Sequence, residues 1–158
     1  MVTASTRGTI VVGVDGSPSS VQALRWAARQ AELTGGEVHA VTAWHMPTTY
    51  GWIPPVADFD WPGNARSTLD RAMKEALDDT RAENVRRHVV EGHPVRALLD
   101  AAGDADLLVV GSRGRGEFAG MLLGSVAQQV VAHGPCPVLV VPAAAAAEGP
   151  TRHQRPPA

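Results

Sequence analysis

Thr9-Ile10-Val11-Val12-Gly13-Val14-Asp15-Gly16-Ser17-Pro18 is the stretch that decides the fold. Its first residues are mostly β-branched and apolar without alternation, which marks a strand buried on both faces, as in a parallel sheet. Asp15-Gly16 then turns the chain. Ser17 is placed to cap a helix, with Pro18 at the first helical position, where a missing N–H does no harm. Val21, Leu24, Ala28 and Ala31 recur at helical spacing until Gly35-Gly36 stops them. Strand, tight turn, helix is the unit from which the rest is read.

Outward from that unit the same alternation continues. Val38–Trp44 reads as a second strand, Arg87–Glu91 as a third, Ala105–Val110 as a fourth and Pro137–Val141 as a fifth. Leu69, Ala72, Met73, Ala76 and Leu77 form one apolar stripe of a helix that Asn64 could cap. Val95, Leu98, Leu99 and Ala102 make a short helix ending at Gly103, and another spans about 125–132. Such alternation predicts a single α/β domain: a doubly wound, Rossmann-like, five-stranded parallel sheet of order 3-2-1-4-5, with helices on both faces. The domain is expected over 9–142, with a flexible N-terminus at 1–8 and a disordered tail at 143–158, which is rich in alanine, proline and polar residues.

One stretch fits neither period. From His45 to Gly63 the chain holds Pro47, Pro54, Pro55 and Pro62 among Tyr50, Trp52, Phe59 and Trp61. Its prolines argue against a helix through it, and a loop of that length is usually functional or mobile. The aromatic rings could cover a ligand or a partner; packing onto their own domain is the simpler reading.

Composition narrows the function classes. The chain of 158 residues has a formal net charge of -2, so nothing points to a nucleic-acid partner. No run is long enough for a membrane span and the N-terminus lacks a signal peptide's apolar stretch, so a cytoplasmic protein is expected. Cys136 is the only cysteine, which excludes an intrachain disulfide. The six histidines are scattered, and no nucleophile elbow or zinc-binding helix occurs. No catalytic residue is assigned.

In a sheet of this order ligands bind beyond the strand ends where the order reverses, between the first and fourth strands. Both of those strands run into glycine-bearing loops. The second reads Gly111-Ser112-Arg113-Gly114-Arg115-Gly116-Glu117-Phe118-Ala119-Gly120-Met121-Leu122-Leu123-Gly124-Ser125. Glycines let successive backbone N–H groups approach an anion, the start of a helix at Ser125 adds donors and a partial positive charge, and Arg113 and Arg115 add fixed charge. A glycine-rich surface loop with solvated arginines is the bland alternative. It is not a Walker A loop, since Glu117-Phe118 stands where Lys-Ser/Thr is required and Lys74 is the only lysine. Nor is it a dinucleotide fingerprint, because the first strand is followed by Gly13-x-x-Gly16.

The spacing Gly111-x2-Gly114-x9-Gly124-Ser125 resembles the ATP-binding signature of the universal stress protein family, and the flanks Val12–Ser17 and Pro135–Val141 resemble that family too. The resemblance runs from about Thr9 to Pro142. It implies that Asp15 lies beside an adenosine, although Asp15 could equally serve as a turn residue bonding its own backbone. Gly13, Val14 and a second-strand residue, Val41 or Ala43, would line the base. Gly111, Ser112, Arg113, Gly114 and Arg115 would follow the ribose and phosphates, and Gly124, Ser125 and Val126 would hold the phosphates. The ligand so implied is ATP, with Mg²⁺ on the phosphates, while ATP, ADP and cyclic nucleotides are not distinguished. The implied role is a nucleotide-dependent stress regulator acting through an unidentified protein partner, with slow or no hydrolysis. The implied assembly is a homodimer through Val138–Val141. A weak ATP hydrolase or phosphotransferase, and a nucleotide-free interaction module, are the alternatives.

Overall fold

The computed structural model describes residues 7–46, 59–115 and 120–143. Five strands, β1 (Thr9–Gly13), β2 (Glu37–Trp44), β3 (Val85–Glu91), β4 (Leu107–Gly111) and β5 (Val138–Val141), form one sheet in the order β3-β2-β1-β4-β5. Every neighbouring pair is parallel. Five helices connect them: α1 (Pro18–Thr34), α2 (Trp61–Ala76), α3 (Asp79–Glu83), α4 (Pro94–Ala101) and α5 (Ser125–His133). The expected doubly wound sheet and its strand order are therefore as read from the sequence.

The lack of alternation in β1 has its reason in two cores. Ile10 and Val12 face α1 and α2, packing with Leu24, Leu69 and Met73. Val11 faces the other way, toward α4 and α5, with Leu98, Leu108 and Val130. Leu24, Leu69, Met73 and Leu108 are among the largest fully buried side chains, each worth roughly 1.5–3 kcal/mol relative to exposure. The central strands are thus fixed from both sides, and their carboxyl ends are held in place as a rigid rim.

Local chemistry sets the element ends. The Ser17 hydroxyl accepts from Ser20 N at 3.3 Å, with Pro18 in the first turn of α1, and Gly35 closes that helix at φ 71°. Gly8, within the stretch expected to be flexible, is tied down: its carbonyl accepts from Glu37 N at 2.8 Å. At the other rim, Val14 N donates to Val41 O at 2.9 Å and the buried Thr42 hydroxyl donates to Val14 O at 2.8 Å. These two bonds carry the β1–β2 pairing past the end of β1.

Helix α2 differs from expectation. It starts at Trp61, capped by Asp60, whose Oδ1 accepts from Gly63 N at 2.9 Å, and not at Asn64. The reason is positional: Pro62 sits in the first turn, where no N–H bond is required, so the last proline of the stretch opens the helix instead of forbidding it. Gly63 is also where the Asp60 carboxylate folds over the backbone, leaving no room for a Cβ. Most of the remaining aromatic stretch, including Tyr50 and Trp52, lies outside the described residues, as does the tail beyond Ala143. Helix α3, capped by Asp78 onto Arg81 N at 2.9 Å, is an element the sequence pattern did not announce.

Candidate functional site

At the rim between β1 and β4 lies a half-open cavity of about 100 Å³. Its walls come from every element that ends there: Gly13, Val14 and Asp15 after β1, Val41 and Ala43 of β2, Gly111, Arg113 and Gly114 after β4, and Val126 and Ala127 of α5. Nine of the thirteen residues singled out from the sequence thus line one space. Both second-strand candidates belong, since Gly13 pairs with Val41 in register and Ala43 lies two residues further along the same face. Ser112, Arg115, Gly124 and Ser125 stand beside the cavity without forming its wall. The sequence pattern missed Pro94 and Leu98 of α4, Ser17 and Ser20 at the start of α1, Val110 of β4 and Ala127 of α5, which also line it.

The glycines have separate reasons. A Cβ on Gly13 would press on Leu98 Cδ1 at 3.0 Å, so this glycine lets α4 approach the end of β1. A Cβ on Gly111 would sit 2.8 Å from Ser20 N, so this one lets the start of α1 lie against the end of β4. Gly16 is required twice over. Its φ is +83°, and a Cβ there would stand 2.7 Å from Arg115 Nη2 and 2.9 Å from Thr68 Cγ2. The Arg115 guanidinium therefore lies across the first turn, close to the α2 wall.

Asp15 does what a turn residue does and more. Its Oδ1 accepts from Ser17 N at 2.9 Å and from the Ser17 hydroxyl at 2.5 Å. Its Oδ2 accepts from Arg115 N at 3.2 Å, joining the two glycine-bearing loops across the cavity mouth. The second loop is also closed on itself, because Gly124 N donates to Ser112 O at 2.7 Å. Ser112 N in turn donates to Val141 O at 2.8 Å, which fixes the loop to the edge of the sheet. Gly124 is the cap of α5 and brings no side chain to it, so the first turn of that helix is not capped by its own residue. Residues 116–119 of the loop lie outside the described residues.

A family model described as the universal stress protein family matches residues 6–142. The chain belongs to the universal stress protein family. A universal stress protein of Mycobacterium tuberculosis is 36% identical over 142 residues, covering 84% of this chain and 46% of that protein. The chain thus spans about half the length of the curated mycobacterial relatives it matches. Among solved structures, a universal stress protein in complex with cAMP is similar at 33% identity and a TM-score of 0.55, covering 85% of this chain and 95% of the other. A universal stress protein from Archaeoglobus fulgidus in complex with dAMP is similar at 25% identity and a TM-score of 0.52, covering 85% and 97%.

Among the described residues, catalytic groups do not converge on the universal stress protein cavity. Lys74 stands on the exposed face of α2. Among the described residues no three His, Cys, Asp or Glu side chains gather as metal ligands. Among the described residues Asp15 is the one carboxylate in the lining, and both its oxygens are engaged by the protein's own donors. A divalent ion brought in with a ligand would thus be held by the ligand's own oxygens and by water.

Four of the six histidines, read as scattered, form two pairs. His39 and His88 stack across β2 and β3, and His45 and His93 stack with ring centroids 4.5 Å apart beyond the ends of the same strands. Their spacing in sequence gave no signal, because only the parallel register brings each pair together. A second, larger cavity of about 510 Å³ lies beside the first pair, under α4. Burial first, then an Asp106 charge, pushes the Cys136 thiol above its ordinary value, which fits a structural role for this half-buried residue. No helix among the described residues is long and apolar enough to cross a membrane.

Proposed function

We propose that this universal stress protein binds an adenine nucleotide, ATP foremost, in the cavity between the ends of β1 and β4. The observation that carries the reading is the convergence on that cavity of Gly111 and Gly114, the start of α5 and Asp15, the last about a hundred residues away in sequence. Small-molecule pockets are usually roughly 300–1,000 Å³. The half-open cavity of about 100 Å³ is smaller, so it takes the base against Val14, Val41 and Ala43, and the sugar and phosphates extend past Gly114. There Arg113, Arg115 and the first turn of α5 supply positive potential. The structures similar to this one that hold cAMP and dAMP support an adenine ligand.

The nucleotide acts as a signal more than as a substrate. Phosphoryl transfer needs a charge-stabilising lysine or arginine and a group that orients the nucleophile. Arginines are present, but among the described residues no orienting base lines the cavity. Binding would instead change how the loop after β4 sits on Val141 and on the outer strand β5. That strand pairs only with β4 among the described residues and exposes Leu139, a suitable edge for a second copy of this chain. A regulator of the stress response that reports nucleotide occupancy through a dimer to a protein partner follows.

Calorimetric titration of ATP with Mg²⁺, of ADP and of cAMP into the purified protein tests the reading. Binding of at least one of them, lost in Gly124→Val, is expected. No binding by any, with no nucleotide carried through purification, would turn the function toward an interaction module without a nucleotide.

A further inference from the structure

Ser19 is no part of the glycine signature, yet it is the residue on which the loop after β4 rests. It lies in the first turn of α1 and is buried. Its hydroxyl donates to Arg113 O at 2.5 Å and stands 3.4 Å from Arg113 N, which donates back to it. One side chain thus holds both polar groups of a single loop residue. The contact is possible only because position 111 is glycine, since a Cβ there would occupy the place of the Ser19 hydroxyl.

The consequence follows from peptide geometry. In a trans peptide the C=O and the next N–H point in opposite directions. With Arg113 O turned toward α1, the N–H of Gly114 is turned away from it, and Gly114 lines the cavity. Freed of Ser19, the Arg113–Gly114 peptide could rotate, because Gly114 imposes little barrier of its own.

We infer that Ser19 is a positioning residue for anion recognition: it sets the Arg113–Gly114 peptide so that the Gly114 N–H faces a phosphate. This rests on the nucleotide reading above and goes beyond it, because it separates recognition of the phosphates from recognition of the base. The Ser19 hydroxyl bonds to Arg113 and not, among the described residues, to the base wall of Val14, Val41 and Ala43. A Ser19 variant therefore discriminates among ligands that share adenine and differ in phosphate.

The experiment compares ATP with Mg²⁺ and adenosine, titrated into the wild type, Ser19→Ala and Ser19→Thr, together with amide hydrogen exchange of Arg113 and Gly114 followed by NMR. Loss of one hydrogen-bond anchor should weaken ATP about five- to tenfold in Ser19→Ala. Adenosine should change less than about twofold, and Ser19→Thr, which keeps the hydroxyl, should restore ATP binding. The Arg113 amide should exchange faster in Ser19→Ala, while those of β4 stay protected. Equal losses for ATP and adenosine, or unchanged ATP binding, would overturn the inference. If no protein binds either ligand, the nucleotide reading falls and the phosphate role with it. The Arg113 amide then still shows whether Ser19 anchors the loop, so the two failures are told apart.

Discussion

His39 Nδ1 lies 2.8 Å from His88 Nε2, with the rings 7° from parallel, while His39 Nε2 reaches Glu37 Oε1 at 2.5 Å. Only one proton fits between the two facing nitrogens, so the contact cannot persist with a proton on each of them. Arg86 of β3 bonds the same Glu37 carboxylate at 3.0 Å, and Glu91, Arg96, Asp100 and Asp104 line the adjoining cavity. Burial first, then the charges of His39 and Arg86, hold His88 below its ordinary value.

The pH dependence follows with a definite sign. A histidine whose folded pKa is depressed binds more protons unfolded, so stability is full above the ordinary histidine value and declines as pH falls through the lowered one. Urea unfolding should give a lower midpoint at pH 5 than at pH 7.5, with a smaller difference in His88→Gln. Identical pH profiles for wild type and variant would count against the histidine pair as the source.

Gly16→Ala should destabilise the fold by about 1–3 kcal/mol, since alanine is strained at φ +83° and meets the Arg115 guanidinium. Chemical denaturation reads the loss directly. A variant as stable as the wild type would mean that Arg115 moves aside and the turn relaxes at little cost.

Asp60→Ala should cost about 1 kcal/mol through the lost cap on α2, while Asn64→Ala, on an interior position of that helix, should cost little or be neutral. Thermal melts of the two variants side by side make the comparison. The reverse ranking would return the start of the helix to Asn64.

ATP turnover by the purified protein should fall far below the roughly 1–100 s⁻¹ of kinases. A coupled phosphate-release assay at saturating ATP and Mg²⁺ decides it, and a rate inside that range would demand a catalytic base not recognised among the lining residues.

Leu139→Lys should shift the protein toward monomer, because it places a charge on the exposed face of the outer strand. Sedimentation at micromolar concentration checks this against the wild type. A wild-type monomer would remove β5 as the dimer edge.

What could be read in the sequence was whatever the backbone writes locally. Thr9–Gly13 and Leu107–Gly111 declare buried parallel strands by apolar runs without alternation, and the glycine spacing declares a loop that must come close to something. What stayed illegible depends on side chains meeting across the sheet. Ser19 under Arg113, Leu98 against Gly13 and the two histidine pairs are separated by dozens of residues, and no period connects them. The start of α2 was misread for a different reason. Pro62 breaks a helix in its interior and suits one in its first turn, and the sequence alone did not say which position it held.

The bond from Gly124 N to Ser112 O bears on how such a protein changes over evolutionary time. With both ends of the loop fixed there, and Arg113 and Arg115 held by Ser19 and Asp15, a change of length beyond Arg115 need not disturb the sheet, since each doubling of loop length costs only about 0.6 kcal/mol. Insertions, deletions and new side chains can accumulate in that interval while the strands beneath keep their order. A lineage could thus exchange one ligand for another, or give up ligands altogether, by editing a single interval, leaving the domain's architecture unaltered.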